Sequence, residues 1–489
     1  MKILFKLPTL ICCALFFALV ENIHAAESTK PQNIIVILAD DFGWGSVGCY
    51  GGKGLKTPNL DRLAKEGRMF RNAYATGSVC SPTRYALMTG RYYWRTSVKD
   101  GKVLPGNGPL HIETNRVTLA SLLKQNGYRT AAVGKWHLGL GLAAKTDFNA
   151  PLTPGPLSVG FDYFFGLPAN IGNPPPIYVE NEKMLERKGG TPEPSENETQ
   201  KQKKNFAAPA DPSAVEVMPM LVKKCVQWIN DNKSRPFFLY FAPTTIHEPI
   251  APTPNFTGSP FGRYGDFIHE LDWSVGEILK TLDQLKLADN TLVLFTSDNG
   301  GVAHEQNPNA GAAMKAGLKI NGILRGGKHD IWEGGFREPF LVRWPGKVPA
   351  NTTCDDIVSM TDIAATLAGI LKTKIPTGNA EDSVDVSNSW FGNGKPARDY
   401  IILQDASANY AIRQGDWKLI ERENAPTIPA RNKKVAAAQA KKGTAGHDEL
   451  YNLAEDPGET KDVAAKHPNI ANRLRKQLAK TREQGFSRQ

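Results

Sequence analysis

The chain has 489 residues, of which 41% are hydrophobic and 22% charged, and its formal net charge is +10 at pH 7. This composition is typical of an ordinary globular protein and excludes a fibrous or largely disordered one. The basic balance favours an anionic partner, such as a polyanion or a charged small substrate. We find no nucleic-acid-binding module in the sequence and expect no nucleic-acid partner.

The first residues predict export from the cell. Lys2 and Lys6 precede or border an apolar stretch over residues 7–20, and the small residues Ala25 and Ala26 follow. A basic start, an apolar middle and a small-residue end form a secretory signal peptide. We therefore expect residues 1–25 to be removed and the mature protein to be periplasmic or extracellular. The apolar stretch is too short for a convincing membrane span, and no later segment qualifies, so we expect none.

Cysteine usage does not indicate a disulfide-stabilised fold. Two of the six cysteines lie in the signal peptide, and the other four are Cys49, Cys80, Cys225 and Cys354. Four cysteines in a chain of this length are not a disulfide framework. If Cys80 has a chemical role, at most one bridge forms among the remaining three.

Apolar runs and helical patterns alternate along the first three quarters of the chain. The runs cover residues 33–39, 128–134, 236–242 and 291–297, and the helical patterns cover residues 57–66, 118–126 and 267–285. Hydrophobicity in the runs is continuous rather than alternating, which is typical of strands buried on both faces. Strands that alternate with helices predict an α/β fold with a mainly parallel sheet.

The remaining segments differ in composition. Residues 188–214 and 421–446 are rich in polar and charged residues and read as exposed insertions. After about residue 369 the alternation of strands and helices fades. A hairpin is predicted at residues 411–420 with its turn at Gln414-Gly415-Asp416, then a short strand or turn at 449–453 and a helix over 470–484. We expect one large domain over residues 26–370 and a smaller α+β subdomain over 371–489.

Two of the apolar runs end in oxygen ligands. Asp40 and Asp41 follow the first run, and Asp298 and Asn299 follow the last. Ligand sites in parallel sheets lie beyond the carboxyl ends of the strands, so we expect these side chains to share one site. Three carboxylates and an amide suit a hard cation, Ca²⁺ or Mg²⁺, rather than zinc. Either pair alone also suits a turn or a helix cap.

Lysine and histidine side chains are also found where the site is expected. Lys135 and His137 flank Trp136 at a third strand end, where both side chains can point into the same cleft. His247 comes after a fourth strand, and Lys328 follows a pair of glycines that let backbone approach a ligand closely. Taken singly, such a histidine is usually a structural hydrogen-bonding residue, and Lys328 also fits a plain surface turn.

One short run singles out a cysteine. In Cys80-Ser81-Pro82-Thr83-Arg84, the proline suits a first helical turn and the arginine places a cation one turn later. The sulfur would then lie in an electropositive pocket at the start of a helix. A lone cysteine is most often a small buried hydrophobe, but the metal-ligand pairs and cations elsewhere favour a nucleophile or the precursor of one.

The chain resembles the formylglycine-dependent sulfatases of the arylsulfatase type, in the alkaline-phosphatase superfamily, over essentially the whole mature chain. The residues that carry the resemblance are 33–41, 57–61, 80–91, 134–139, 297–300 and 325–346. The resemblance implies a large, mainly parallel mixed sheet sandwiched by helices. It places the catalytic domain at residues 26–370, and the smaller C-terminal subdomain would contain an antiparallel sheet and the terminal helix.

The resemblance also implies how the site is built. Cys80 would be oxidised to Cα-formylglycine by a formylglycine-generating enzyme that recognises Cys-x-Pro-x-Arg. One cation, usually Ca²⁺ and less commonly Mg²⁺, would be bound by residue 80 together with Asp40, Asp41, Asp298 and Asn299. The hydrated residue 80 would attack sulfur, with one oxygen bound to the metal.

The remaining roles fall on basic residues. The resemblance implies that Arg84, Lys135 and Lys328 neutralise the sulfate oxygens. His247 would protonate or assist the leaving alcohol, and His137 would take a proton from the second hydroxyl of the hydrated residue 80. Two positions depart from the commoner pattern. Thr83 stands where serine is more frequent, and Asn170 stands where some relatives have a serine near the site.

The expected substrate is a sulfated sugar or polysaccharide. Loops at residues 101–113, 148–156 and 170–180, with the insertion at 188–214, are expected to shape the sugar site. Three alternatives remain open: an arylsulfatase acting on small aryl esters, a phosphonate or phosphate ester hydrolase of the same superfamily, and a non-catalytic polyanion-binding protein if Cys80 is never oxidised.

Overall fold

The computed structural model describes residues 31–172, 177–185, 214–422 and 447–488. The predicted signal peptide lies outside these residues, as do most of the segments predicted as insertions at 188–214 and 421–446. The described part of the chain forms sixteen strands: β1 (Asn33–Ala39), β2 (Arg68–Phe70), β3 (Ala73–Tyr74), β4 (Arg129–Lys135), β5 (Tyr163–Leu167), β6 (Tyr178–Glu180), β7 (Lys183–Leu185), β8 (Phe237–Ala242), β9 (Thr291–Ser297), β10 (Phe340–Arg343), β11 (Thr352–Cys354), β12 (Val358–Ser359), β13 (Tyr400–Gln404), β14 (Tyr410–Gln414), β15 (Trp417–Glu421) and β16 (Glu449–Asn452).

Helices pack around these strands. Within the described residues the α-helices are α1 (Pro58–Lys65), α2 (Cys80–Thr89), α3 (Leu119–Gln125), α4 (Val217–Asn232), α5 (Gly262–Gln284), α6 (Pro308–Lys315), α7 (Asp362–Leu371), α8 (Ser387–Phe391) and α9 (Pro468–Glu483). The predicted helices at 57–66 and 118–126 match α1 and α3 to within one residue at each end. The helix predicted at 267–285 begins earlier, at Gly262, and α4 was not predicted.

The large sheet confirms the predicted fold class. Its ten strands run in the order β11-β2-β10-β9-β1-β8-β4-β5-β6-β7. The five strands from β9 to β5 are mutually parallel, while β10 and β6 join them antiparallel. The four strands predicted from continuous apolar runs are β9, β1, β8 and β4, and they are neighbours in the centre of the sheet.

The continuous hydrophobicity of these strands follows from burial on both faces. In β1, Ile35 and Ile37 belong to an apolar core that also contains residues of α1, α4 and α5. Ile34 and Val36 belong to a second core, with residues of α2, α3 and α7. Burying each such side chain contributes about 1.5–3 kcal/mol. The central strands are therefore held by helix layers on both sides.

The last strands form a separate antiparallel sheet, in the order β13-β14-β15-β16. One of its faces packs with Leu474 and Leu478 of α9, and the other packs with Phe336 of the large domain. The hairpin turn is shorter than predicted, because Gln414 pairs with Trp417 and leaves only Gly415 and Asp416 in the loop. The boundary at residue 370 stays a prediction.

Two further expectations concern cysteines and membranes. Cys49, Cys80, Cys225 and Cys354 are all free thiols, so these four form no bridge with one another. None of the helices in the described ranges combines the length and the apolar character that crossing a bilayer requires.

A buried carboxyl on α5 makes stability depend on pH. Glu270 is fully buried; its Oε2 accepts a hydrogen bond from the backbone N–H of Thr253 at 3.1 Å, and its Oε1 has no partner among the described residues. Burial raises the pKa of Glu270 from 4.5 to about 7. The folded state therefore holds this proton more tightly than the unfolded state does. Stability should fall as pH rises through this window, by at most about 3 kcal/mol from this group.

Glu270→Gln should remove this pH dependence. The amide cannot ionise, and its oxygen can still accept from Thr253. We expect the melting temperature of the variant to exceed that of the wild type by a few degrees at pH 8 and to match it near pH 4.5. Glu277→Gln, on the same helix but partly exposed, is the control and should show no such difference. Equal effects of Glu270→Gln at both pH values would contradict the prediction.

Candidate active site

The predicted site residues converge at the carboxyl edge of the four central strands. Asp40 directly follows β1, Asp298 directly follows β9, and Lys135 is the last residue of β4. His247 comes five residues after the end of β8. Parallel strands place their carboxyl ends at the same edge, and the neighbouring order of these four brings the side chains together.

Three carboxylates and three cations form a buried cluster in this place. Its members are Asp40, Asp41, Asp298, Arg84, Lys135 and Lys328, all buried. The Nζ of Lys135 lies 2.7 Å from Oδ2 of Asp40, and the Nζ of Lys328 lies 2.7 Å from Oδ2 of Asp41. The formal charge of the cluster is therefore balanced. We call this set the charge cluster.

Arg84 is held by the third carboxylate. Its Nε and Nη2 both donate to Oδ2 of Asp298, at 3.0 and 2.7 Å, and its Nη1 donates to the backbone carbonyl of Lys135 at 3.2 Å. Its Nη2 also lies 3.6 Å from Oδ1 of Asp40. Burial alone would lower the pKa of Arg84, but the neighbouring groups, with Asp298 the strongest of them and Asp40 among the others, together outweigh burial and raise the pKa. The guanidinium is therefore a fixed, permanent cation.

The aspartates stay ionised despite their burial. Burial alone would raise the pKa of Asp40, but Lys135, His247 and Arg84 hold the pKa below its usual range. Burial alone would also raise the pKa of Asp41, but the charges of Lys328 and His247 oppose burial, and the pKa lies below its usual value. Opposite charges at hydrogen-bond distance favour the charged forms of both partners. Asp40 and Asp41 are thus carboxylates in the cluster rather than neutral acids.

Cys80 lies at the start of a helix beside the charge cluster, as predicted. Helix α2 begins at Cys80 and is buried over its whole length. The Sγ of Cys80 lies 3.5 Å from Oδ1 of Asp40 and 3.8 Å from the Nζ of Lys328. The loop before the helix is fixed by Thr83, whose hydroxyl accepts from the backbone N–H groups of Thr76 and Gly77 at 3.3 and 3.2 Å. Thr83 therefore supplies a hydroxyl at the position where serine is more frequent in the family that the sequence resembles.

The thiol of Cys80 is not activated. Burial raises its pKa, although Lys135 and Lys328 act in the opposite direction. A nucleophilic cysteine needs a lowered pKa and some access to solvent, whereas only 1% of Cys80 is exposed. The position of residue 80 is suited to chemistry, but its unmodified side chain is not.

The residues present fit a divalent cation. Asn299 provides the decisive observation: its Nδ2 donates to Oδ1 of Asp41 at 2.8 Å, while its buried Oδ1 has no hydrogen-bond partner among the described residues. An unsatisfied buried oxygen costs about 1–3 kcal/mol. Together with Asp40, Asp41 and Asp298 it makes a set of oxygen donors, which hard cations prefer.

A second, partly different set of possible ligand atoms also lies close together. Donor atoms of Asp40, Asp41, Cys80 and His247 lie within 4.8 Å of one another. Imidazole and sulfur ligands would suit zinc better than Ca²⁺. We favour the set of oxygen ligands that includes Asn299. Its amide oxygen is a buried ligand atom with no hydrogen-bond partner among the described residues.

His137 is oriented as a base. Its Nε2 lies 2.9 Å from the backbone carbonyl of Leu104, which can only accept, so Nε2 carries the proton. Its buried Nδ1 has no partner among the described residues and keeps its lone pair. Burial, followed by the charges of Lys135 and Arg84, lowers the pKa of His137 well below its usual value. The imidazole is neutral and offers Nδ1 as an acceptor.

His247 presents its other nitrogen to the charge cluster. Its Nδ1 lies 2.7 Å from the backbone carbonyl of Glu248 and therefore donates to it, and its Nε2 lies 3.8 Å from Oδ2 of Asp41. Burial and Lys328 lower its pKa, while Asp41 and Asp40 oppose them. The side chain is 19% exposed, so it lies where the cluster meets solvent.

Some residues at the site were not predicted. The carbonyl of Leu104 orients His137, and the backbone N–H of Leu104 donates to the hydroxyl of Ser81 at 3.0 Å, which places the predicted loop at 101–113 against the site. His329 follows Lys328, and Nε2 of His304 lies 3.2 Å from the carbonyl of Lys328. The sequence could have indicated His329, because it directly follows Lys328, a predicted site residue. Asn170, which the sequence predicts near the site, is buried, and its Oδ1 has no partner among the described residues.

Comparison with known proteins identifies the family. The family model named Sulfatase matches residues 32–373, which include every site residue described above. The chain belongs to the sulfatase family. It is therefore a sulfuric ester hydrolase, as the sequence motifs predicted, and its fold is that of the sulfatases of the alkaline-phosphatase superfamily.

Individual relatives match over most of the chain. An N-acetylgalactosamine-6-O-sulfatase of Bacteroides thetaiotaomicron is 39% identical over 93% of this chain and 94% of its own length. The N-acetylgalactosamine-6-sulfatase of Canis lupus familiaris is 30% identical over 90% of this chain and 83% of its own length. A solved structure from work on glycosaminoglycan metabolism by Bacteroides thetaiotaomicron superposes with a TM-score of 0.83 at 38% identity, covering 93% of this chain and 99% of that one.

The fit to a cation predicts a stabilising effect of Ca²⁺ on this sulfatase. Protein stripped with a chelator should melt at a higher temperature after Ca²⁺ is added, since a ligand at a hundred times its Kd contributes about 2.7 kcal/mol. Asp41→Asn should reduce this shift, because it removes one charged oxygen donor. Thermal unfolding with Ca²⁺ and with Mg²⁺ measures the effect and ranks the two ions.

The matched control is Asp283→Asn, which changes an exposed aspartate that pairs with Arg62 on the surface. Its shift with Ca²⁺ should equal that of the wild type. Equal shifts in wild type and Asp41→Asn would place the cation elsewhere.

Proposed function

We propose that this sulfatase removes sulfate from a sulfated carbohydrate, with 6-O-sulfated N-acetylgalactosamine units as its substrate class. The observation that carries the reaction is the buried set of three cations around residue 80. The two relatives named as N-acetylgalactosamine 6-sulfatases support the sugar and the position of the ester. The net charge of +10 is compatible with a polyanionic substrate.

Residue 80 is proposed to act after conversion to Cα-formylglycine by a formylglycine-generating enzyme. The buried, protonated thiol is a poor nucleophile, and the run Cys80 to Arg84 is the sequence that such conversion recognises in the family. In its hydrated form the converted residue supplies an oxygen nucleophile, and a divalent cation supplies the positive charge that acidifies that hydroxyl. Asp40, Asp41, Asp298 and Asn299 would hold the cation, with residue 80 beside them, and Ca²⁺ is the ion we propose, one per chain.

The cations of the charge cluster would bind the sulfate group. The Nζ of Lys328 lies 3.8 Å from Sγ of Cys80, next to the reacting position. Arg84 and Lys135 are fixed by Asp298 and Asp40, so their charges need no reorganisation during reaction. The side chains of Arg84 and Lys135 are inaccessible to water, which strengthens their field at the sulfur.

The two histidines would move protons on opposite sides of the reaction. Nδ1 of His137, neutral and without a partner, can accept a proton from a hydroxyl on residue 80, which would expel sulfate and return the residue to its aldehyde form. His247 presents Nε2 at the solvent side of the cluster, where the alcohol leaves. A protonated Nε2 would donate to the departing oxygen; burial and Lys328 lower the pKa of His247, and Asp41 and Asp40 act in the opposite direction, toward the protonated form.

The place of action follows from the predicted signal peptide. We propose that the enzyme works in the periplasm or outside the cell, where sulfated polysaccharides are met. This rests on the sequence pattern of residues 1–25.

Replacement of Cys80 should abolish turnover while the fold is retained. Neither Cys80→Ala nor Cys80→Ser can be converted in the way proposed for the native residue, so we expect a loss of kcat of about 10³-fold or more. Steady-state release of sulfate measures activity, and circular dichroism checks the fold. Cys49→Ser changes a partly buried thiol outside the charge cluster and should keep wild-type activity. Substantial activity in Cys80→Ala would refute the role of residue 80.

Mass analysis of the native peptide that contains Cys80 tests the conversion directly. We expect the mass of formylglycine rather than that of cysteine. An unmodified thiol in fully active enzyme would refute the conversion, and in inactive enzyme would favour the alternative of a polyanion-binding protein.

The substrate class can be tested with a small panel of esters. We expect the highest kcat/KM for N-acetylgalactosamine 6-sulfate, with lower values for its 4-sulfate and for 4-nitrophenyl sulfate, and little turnover of 4-nitrophenyl phosphate. The reason is that the cations recognise the sulfate alone, whereas contacts with the sugar select the alcohol. Preference for the aryl ester would favour a general arylsulfatase, and preference for phosphate would overturn the proposed reaction.

A further inference from the structure

We infer that His329 is a specificity-determining residue that binds a hydroxyl group of the sugar next to the sulfate. The inference rests on the proposed carbohydrate substrate and adds to it the residue that would distinguish a sugar from a flat aryl alcohol.

The backbone of His329 is fixed from both sides. Its N–H donates to the carbonyl of Ser78 at 2.9 Å, two residues before the start of helix α2 at Cys80. The preceding N–H, of Lys328, donates to the carbonyl of Gly301 at 3.1 Å, beyond the end of β9. The side chain of His329 is therefore presented from a segment that is tied to the two parts of the chain that supply Cys80 and Asp298.

The conformation of His329 is one that glycine adopts more readily. Its φ is +77°, in the left-handed region, where a side chain costs about 1–2 kcal/mol. Glycine already occupies two of the three positions before it, Gly326 and Gly327. A side chain at residue 329 is thus present where the local backbone favours none, and such positions cluster at binding and catalytic sites.

The side chain of His329 is exposed, lies within electrostatic range of Asp41 and His247, and has unused hydrogen-bonding capacity. His329 is exposed and follows Lys328, whose Nζ is 2.7 Å from Asp41 and 3.8 Å from Cys80. Among the described residues, its ring nitrogens have no hydrogen-bond partner, in contrast to His137, His247 and His304, each of which bonds a backbone carbonyl. Those three are oriented by the protein, whereas His329 is left available to a ligand.

Its environment makes His329 neutral. Burial of part of the ring and the nearby charge of Lys328 lower its pKa to about 4, and His304 and His247 act in the same direction while Asp41 opposes them. A neutral imidazole carries one donor and one acceptor nitrogen. This pattern suits a hydroxyl group, which both donates and accepts, and adds no charge to the three cations that would hold the sulfate.

The position of His329 also indicates which part of the substrate it would bind. Arg84, Lys135 and Lys328 surround the buried place beside residue 80, which the sulfate group would fill. His329 lies outward of Lys328, toward solvent, so it would meet the ring that carries the ester. An aryl sulfate has no hydroxyl group there, and its hydrolysis should not depend on His329.

The test compares two esters in variants of residue 329. His329→Gly removes the side chain and suits the positive φ, and His329→Asn keeps a hydrogen-bonding group that tolerates this conformation. We expect His329→Gly to lower kcat/KM for N-acetylgalactosamine 6-sulfate about tenfold, mainly through KM, because one hydrogen bond to substrate is lost. Turnover of 4-nitrophenyl sulfate should stay within about twofold, and His329→Asn should restore part of the loss on the sugar.

The matched control is His447→Ala, an exposed histidine of the C-terminal sheet that contacts Asp462 and should leave both activities unchanged. An equal loss on both esters, or no loss on either, would overturn the role of His329. The proposed function is judged separately, on the wild type alone. If another sulfated sugar is the better substrate, that sugar replaces the 6-sulfate in the comparison; if no sulfated sugar is hydrolysed, the proposed substrate class and the role of His329 both fall.

Discussion

The site depends on the burial of six opposite charges at one edge of the sheet. Removing an ion from water costs several kcal/mol, and the cost is offset only where each charge has a close partner. The shortest pairs are Lys135 with Asp40, Lys328 with Asp41 and Arg84 with Asp298, and Arg84 also lies 3.6 Å from Asp40. Removal of a buried charge takes away the close partner of another, at about 3–5 kcal/mol. The net charge of the charge cluster is zero before ligand binding, so a divalent cation would make it attractive to a sulfate anion.

The sheet brings these charges together without strain in the strands themselves. Parallel pairing aligns Ala39 of β1 with Ser297 of β9, so Asp40 and Asp298 emerge at the same level. Strand β4 pairs with β8, which pairs with β1, and this order carries Lys135 to the same edge. Residue 80 and Arg84 come from outside the sheet, on helix α2, which is buried along its whole length, and Lys328 comes from the segment between α6 and β10. The scaffold is rigid where charge must be placed, which is what electrostatic stabilisation of a reacting group requires.

The sequence predicted the central strands and their polar ends because continuous apolar runs are long enough to recognise. The two- and three-residue strands have no pattern of their own and exist through pairing, so they could not be predicted; they are β2, β3, β6, β7, β11 and β12. Helix α4 was missed although Val217, Leu221 and Trp228 recur at helical spacing. The motifs predicted which residues meet, but they contain nothing that assigns Lys135 to Asp40 rather than to Asp298. The contact of His137 with the carbonyl of Leu104 was equally out of reach, since any residue supplies that carbonyl.

Backbone carbonyls, rather than carboxylates, decide the proton positions on the two histidines of the site. The carbonyl of Leu104 fixes the proton of His137 on Nε2 and frees Nδ1, while the carbonyl of Glu248 fixes that of His247 on Nδ1 and frees Nε2. A carbonyl orients an imidazole without adding negative charge, so burial and the nearby lysines keep both pKa values low. A carboxylate in the same place would favour the imidazolium and would neutralise part of the positive field intended for sulfate. The base can therefore be neutral beside a cationic site, because its orientation comes from a carbonyl dipole and its low pKa from burial and the neighbouring cations.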